Sequence, residues 1–418
     1  MNILLIAYYY PPINSGGTER PLKMAKYLPR FGHHVTVLTH TYDRRNTGDA
    51  ATLRIYDPGY NCYRKGIYKA LWGSLRLGVE VLNRLGRYAS IYSLWKRAVL
   101  NQAAHIMAAA RPDVILATYP PVETLELGLS LSQEYQIPLV ADFRDGLLFE
   151  PIEQKRIQQY PCIRREYLKI EQTVVKAAST ILTVSPPITD YFVKQYHCSS
   201  ALTISNGFDP EDFEHLDKTV SLEPGKFHIV HTGRFCRSEV ERNVTPFIIT
   251  LRTLCADYPI LHDKIRLHLV GQIANKERAM MQDLLEGEII RYYGLVDRNT
   301  ALSFQTHADL LLLLTGTVNR TSMVTAKLFE YLYAGRPILG LTSQTYAETI
   351  IQTTGSGWTV HPEDIRRMSD LLYNIVTEPE FYLSLRRSET AIATFSWVVQ
   401  MERLGNILTS LRQDHGVV

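Results

Sequence analysis

Lys327 and Glu330 stand three residues apart in Thr325-Ala326-Lys327-Leu328-Phe329-Glu330-Tyr331-Leu332-Tyr333-Ala334-Gly335-Arg336-Pro337-Ile338-Leu339. On a helix that spacing puts an ammonium and a carboxylate on one face. A carboxylate has two oxygens to offer a ribose diol, while a lysine beside the amide groups of a helix start suits a phosphate. Upstream, Ala308-Asp309-Leu310-Leu311-Leu312-Leu313-Leu314 reads as a fully buried strand. The helix therefore begins just past the carboxyl end of a parallel sheet, where open α/β sheets bind ligands. Thr325 is placed to cap it, Leu328, Phe329 and Leu332 to face the sheet, and Gly335 followed by Pro337 to stop it. The plain alternative for Glu330 is a solvated glutamate paired with Lys327, worth about 0.3 to 0.5 kcal/mol.

Three other places carry chemistry. Arg234 follows a strand ending at Thr232, and Gly233 before it lets backbone approach a ligand; a guanidinium there can grip two phosphate oxygens. Arg237 and Arg242 lie further along the same charged loop. Gly16 and Gly17 sit between the first strand and a helix, where absent side chains let amides approach a phosphate or an acceptor. Arg144 and Asp145 follow the strand at Leu139 to Ala141 and form either a reactive pair or a structural one. His33 and His34 read as exposed positions entering a strand, and His231 as the end of one. No histidine and acid cluster has ligand spacing and no Asp-x-Asp follows a strand, so no metal is implied.

These positions need a scaffold of strands alternating with helices. Ile3 to Ala7, a loop with Pro11-Pro12 and Gly16-Gly17, an amphipathic helix over Pro21 to Phe31 closed by Gly32, and Val35 to Leu38 make a βαβ opening. Asp113 to Ala117, Pro138 to Asp142 and Thr180 to Val184 continue it. The alternation restarts at Phe227 to Thr232 and runs through Ile265 to Val270, Tyr292-Tyr293, Leu310 to Leu314 and Ile338 to Leu341. The fold class is α/β, with two Rossmann-like, doubly wound parallel-sheet domains expected to face a central cleft. The seam falls at Asn206-Gly207-Phe208-Asp209-Pro210, giving domains over 1–205 and 206–390 and a final helix over 391–418.

A length of 418 residues suits two cores better than one. A net charge of +3 is too small to argue for nucleic acid. Cys62, Cys162, Cys198, Cys236 and Cys255 lack CxxC spacing, which disfavours a zinc site or a disulfide framework and fits a reducing cytoplasm. The start at Met1 resembles a buried strand more than a leader, and no apolar run approaches the roughly 18 residues needed to span a bilayer.

Tyr9-Tyr10-Pro11-Pro12 with Gly16-Gly17-Thr18-Glu19-Arg20, Asp142-Phe143-Arg144-Asp145, Ser205-Asn206-Gly207-Phe208-Asp209, Gly233-Arg234, Lys327 to Glu330 and Phe395-Ser396-Trp397 occur in this order over nearly the whole chain. Together they resemble the family 4 glycosyltransferases, retaining enzymes of the GT-B fold, in the branch with a Lys-Leu-Phe-Glu-Tyr-Leu signature. The resemblance implies transfer of a sugar from a nucleotide-diphosphate sugar, bound by the second domain, to an acceptor held by the first, with retention and without a metal or other cofactor. It implies catalytic roles for Arg234, Lys327, Glu330, Asp145 and Arg144. Donor contacts are implied at Gly16, Gly17, Gly233, Arg234, Arg242, Lys327, Leu328 and Glu330, with Glu330 on the ribose. The final helix is expected to return to the first domain. Two positions depart from the family: Arg144 stands where many relatives carry a histidine, and Ser322 where a second glutamate precedes Glu330 by eight positions. Asn319, Arg320 and Thr321 could supply contacts in its place. The rival readings are a nucleotide-sugar epimerase of similar architecture and a non-catalytic sugar-nucleotide sensor.

Between Tyr60 and Leu100 the chain carries Arg64, Lys65, Lys69, Arg76, Arg84, Arg87, Lys96 and Arg97 against Glu80 alone, interleaved with Tyr63, Tyr68, Trp72, Tyr88, Tyr92 and Trp95. That composition suits helices on an anionic leaflet, each basic residue adding about 1 kcal/mol, and equally a solvated helix pair covering the sheet. The membrane reading implies a cytoplasmic protein peripheral on the inner face of the plasma membrane and a polyprenyl-diphosphate-linked glycan acceptor.

Overall fold

Ile3, Leu5 and Ala7 pack with Met24, Tyr27 and Leu28, while Leu4, Ile6 and Tyr8 pack with Trp95, Val99 and Leu125. This is the two-residue period of an extended chain buried on both faces. The computed structural model describes residues 1–13, 16–43, 48–49, 51–57, 68–235, 244–315 and 320–415, without the side chains of 68–72 and 412–415.

The first sheet comprises β1 (Asn2–Ile6), β2 (His34–Thr41), β3 (Gly48–Asp49), β4 (Thr52–Tyr56), β5 (Val114–Tyr119), β6 (Leu139–Phe143), β7 (Thr180–Thr183) and β8 (Ala201–Thr203). Their order is β3-β4-β2-β1-β5-β6-β7-β8. Every pairing is parallel except β3 with β4. The second sheet comprises β9 (Phe227–Thr232), β10 (Ile265–Val270), β11 (Ile290–Gly294), β12 (Leu310–Leu314), β13 (Ile338–Leu341) and β14 (Gly357–Val360). It is wholly parallel, in the order β11-β10-β9-β12-β13-β14. Each sheet thus reverses its winding once, at β1/β5 and at β9/β12. The carboxyl ends at such a reversal are where an open sheet leaves room for a ligand.

Two compact units result: Met1–Ser205 with Trp397–Val418, and Asn206–Ser396. In the first, Trp397, Met401, Leu404 and Leu408 of the helix Trp397–His415 join the face of β1 that holds Met24 and Tyr27. Gln400 Oε1 accepts the Ser205 amide at 2.9 Å. In the second, Leu310, Leu312 and Leu314 face one core layer and Leu311 and Leu313 the other, as a strand covered on both sides requires.

Several expectations need correction. The helix expected over Pro21 to Phe31 is α-helical at Glu19–Tyr27 and tightens to 3₁₀ at Leu28–Phe31, where Gly32 at φ 82° closes it. His33 is buried, not exposed, because Gly405 of the last helix leaves space against its ring. The strands β3, β4, β8 and β14 went unforeseen; β3, β8 and β14 are short edge strands and β4 lies next to one. Cys162, Cys198 and Cys255 are buried thiols outside any disulfide; Cys62 and Cys236 lie outside the described residues. No helix among the described residues is long and apolar enough to cross a membrane.

Candidate functional site

At the reversal of the second sheet, β9 ends in Thr232 and the chain turns through Gly233 at φ +95°. The Gly233 amide donates to Val270 O at 2.6 Å. Lys327 lies directly on Gly233: a Cβ there would overlap its Cε and Nζ. Glycine is therefore required twice, for the left-handed backbone and for the ammonium beside it. The helix Ala326–Ala334 that carries Lys327 is anchored beneath by Leu328, Phe329, Tyr331 and Leu332, all fully buried, and ends at Gly335 with φ 79°. The buried Tyr331 hydroxyl accepts the Thr232 amide at 3.0 Å. Burial pushes this phenol up to about 12, so it stays protonated.

Glu330 is held from the neighbouring helix Arg298–His307. Its Oε1 lies 3.1 Å from Arg298 Nη2 and its Oε2 accepts Gln305 Nε2 at 3.0 Å. Gln305 Nε2 also reaches Thr232 Oγ1 at 3.0 Å, and Arg298 Nη2 reaches Asp212 Oδ2 at 2.8 Å. The carboxylate side chain remains 14% exposed. Its partners come from another helix, which revises the local pairing with Lys327 taken from spacing. Arg234 is exposed, with Nη2 at 3.4 Å from Gln272 Oε1. Thr325 occupies the cap position with extended backbone, yet its hydroxyl makes no cap bond and is buried with no partner among the described residues. Leu328, expected to touch the donor, turns its side chain into the core while its amide donates to Thr325 O. Ser322 is half-buried and Arg320 half-buried beside exposed Thr321, whose carbonyl accepts the Tyr346 amide at 2.8 Å. Arg237, Arg242 and Asn319 lie outside the described residues.

At the reversal of the first sheet the charge is buried. Arg20 pairs with Asp142 at 2.7 Å, both side chains nearly inaccessible, and Asp142 also accepts Thr118 Oγ1 at 2.7 Å. Above them the Arg144 guanidinium donates to Gly17 O and, at 3.2 Å, to Pro120 O, tying together the loops after β1, β5 and β6. Burial pulls the Arg144 guanidinium below its ordinary value, opposed by Asp145 and Asp142. A Cβ at Gly17 would meet Arg144 Nη2 at 2.6 Å, whereas Gly16 has open space around it. Gly17 thus has a reason to be glycine in the arginine alone. Asp145 is half-buried beside it.

In the segment read as a membrane surface, Trp95 is fully buried and Tyr88 and Tyr92 are half-buried, so these rings belong to the unit's interior rather than to an interface. The exposed stripe is apolar and basic instead: Leu77, Val81 and Leu85, with Arg76, Arg84 and Arg87. Arg64, Lys65, Tyr60 and Tyr63 lie outside the described residues.

Sequence reasoning missed Arg298, Gln305, Asp212 and Gln272. Tertiary packing brings them to the site, Arg298 and Gln305 from one helix and Asp212 and Gln272 from elsewhere, and no local spacing marks them. Among the described residues no three His, Cys, Asp or Glu side chains form a group that could hold a metal.

Residues 15–207 match the family model of a glycosyl transferase 4-like domain. No curated protein matches the chain. Solved structures share its fold at low identity. HepE of Anabaena, in complex with UDP and glucose, is 14% identical, with 98% of this chain and 100% of that chain covered at a TM-score of 0.60. WaaG, a glycosyltransferase involved in lipopolysaccharide biosynthesis, is 16% identical, covering 97% and 99% at 0.60. A Listeria monocytogenes protein provisionally described as a UDP-N-acetylglucosamine 2-epimerase is 12% identical, covering 99% and 97% at 0.62.

Proposed function

We propose that the chain moves a sugar from a nucleoside-diphosphate sugar to a glycan or lipid-linked acceptor, with retention of configuration; the match of residues 15–207 to a glycosyl transferase 4-like domain and the GT-B fold support this reading. The observation that carries the reading is Lys327 lying against Gly233 beside a carboxylate held by Arg298 and Gln305, at the reversal of the second sheet. HepE, solved with UDP and glucose, supports the choice of donor class.

In this reading each Glu330 oxygen keeps a lone pair beside its Arg298 or Gln305 contact and uses it to accept a ribose hydroxyl. Lys327, Arg234 and the positive end of the helix Ala326–Ala334 hold the diphosphate and offset the charge that grows on it as the glycosidic bond to the donor breaks. These groups act in place of a metal ion. The first unit holds the acceptor, with Asp145 at the carboxyl end of β6 placed to orient a hydroxyl or to face positive charge on the sugar. The stripe of Leu77, Val81 and Leu85 with Arg76, Arg84 and Arg87 lies on the inner face of an anionic membrane.

Incubating the purified chain with UDP-, GDP- and dTDP-linked sugars, with and without a polyprenyl-diphosphate glycan, tests the reading. Release of nucleoside diphosphate with the sugar joined to the acceptor is expected. An altered sugar still attached to nucleotide would make the protein an epimerase, and binding without turnover a sensor. Flotation with liposomes should depend on anionic lipid; indifference to lipid charge would remove the membrane role.

A further inference from the structure

A cavity of about 480 Å³ opens in the first unit beside the carboxyl ends of β1 and β5, within the range that holds small ligands. Six phenols line it: Tyr9, Tyr88, Tyr92, Tyr119, Tyr160 and Tyr167. Five of the hydroxyls are turned to one another or to acids. Tyr9 and Tyr92 meet at 2.9 Å, Tyr167 donates to Glu153 at 2.8 Å and Tyr160 to Glu80 at 3.1 Å. With the polar ends so occupied, the ring faces and edges are what the cavity presents. Tyr88 and Tyr167 stand edge to face at 6.0 Å.

Glu123, on the first turn of the helix Val122–Tyr135, is 1% exposed. Its Oε1 meets the Tyr88 hydroxyl only at 3.5 Å, and its Oε2 is buried with no partner among the described residues. A buried, unsatisfied carboxylate oxygen costs roughly 1 to 3 kcal/mol or more. The Ser90 hydroxyl and a nearby amide favour the ionised carboxyl, yet Oε2 itself is left without a donor among the described residues. Of the other lining charges, Arg156 pairs with Glu153 at 2.8 Å and Glu80 with Arg84 at 3.0 Å, and Arg76 also lines the cavity.

We propose that this cavity binds a neutral sugar ring of the acceptor, its C–H faces packed on the tyrosines and its hydroxyls donating to Glu123. Phenol faces suit the apolar faces of a pyranose, and a partnerless carboxylate oxygen suits a hydroxyl donor. The word acceptor rests on the function proposed above; the sugar site itself does not.

Saturation-transfer NMR and calorimetry on the full chain, with the methyl glycosides of glucose, galactose, mannose and N-acetylglucosamine as probes, test this. Glucosamine and inorganic phosphate serve as the cationic and anionic comparisons. At least one neutral glycoside should bind, and Glu123→Gln should weaken it at least tenfold while binding of the preferred nucleotide is unchanged. Val79→Trp, which narrows the cavity from its half-exposed rim, should do the same and guards against a folding effect. Glycoside binding that survives both variants, a preference for glucosamine or phosphate, or no glycoside binding by the wild type would overturn the proposal. A chain that takes glycosides yet no nucleotide would leave this site standing and remove the transferase reading; the reverse result would remove only this site.

Discussion

The two sheets reverse their winding in the same way, and what they place at the reversal differs. In the second unit, cationic side chains and a carboxylate stand at the mouth, half-exposed or exposed, each steadied by a neighbour: Lys327 on Gly233, Glu330 between Arg298 and Gln305, Arg234 near Gln272. In the first unit the strongest charges, Arg20 with Asp142 and Arg144 under two carbonyls, are sealed beneath the surface, and the hollow beside them is walled by phenols. One topology thus presents a surface suited to an anion and another suited to a neutral, hydroxyl-rich ligand. The sheet supplies the place and the loop residues decide the chemistry.

That contrast can be broken at graded strength. Lys327→Ala should have the largest effect, a loss of roughly 100- to 1,000-fold in kcat for sugar transfer, the range seen when one charge-stabilising group is removed; steady-state kinetics with the preferred donor reads it. Glu330→Ala should lower kcat/KM by about 100-fold, or roughly 2.7 kcal/mol, with acceptor binding untouched. Arg144→Ala acts on the other unit: it leaves the Gly17 and Pro120 carbonyls unpaired and should cost about 1 to 3 kcal/mol in denaturant unfolding, while nucleotide affinity holds. Arg298→Ala should be mildest, a rise of several-fold in donor KM as Glu330 loses one of two supports, with kcat close to wild type.

Glu123 sharpens the comparison through pH. Burial, opposed by the Ser90 hydroxyl and a nearby amide, with Glu126 raising and Lys96 lowering it, pushes this carboxyl from 4.5 up to about 7. The phenols of Tyr88 and Tyr92 also face it. A folded value above the unfolded one means the unfolded chain releases its proton first. The stability that the neutral carboxyl contributes is therefore complete below pH 4.5 and lost as pH rises to about 7, a change of roughly 3 kcal/mol at most. Glu123→Gln should remove this component, so that the variant gains on the wild type between pH 4.5 and 7 in denaturant titrations. A constant difference across that window would refute the assignment.

The parts legible in the sequence were those with a local signature. Alternating apolar runs gave the strands that form the centre of each sheet, and Gly335 with Pro337 marked a helix end that the structure places at Gly335. Edge strands such as Gly357–Val360 bury too little to stand out. The Lys327 and Glu330 pair was visible because both lie on one helix. Arg298, Gln305 and Asp212 were not, since only tertiary packing brings them within reach. Trp95 and Tyr92 misled for the converse reason: aromatics between basic residues look interfacial until packing shows Trp95 fully buried and Tyr92 lining a hollow.

Calorimetric titration with UDP, GDP and dTDP tests the central assignment most directly. The wild type should bind one of the three, and Lys327→Ala and Glu330→Ala should each weaken that nucleotide at least tenfold while Glu123→Gln leaves it unchanged. Undiminished affinity in both second-unit variants, or a loss confined to Glu123→Gln, would contradict it.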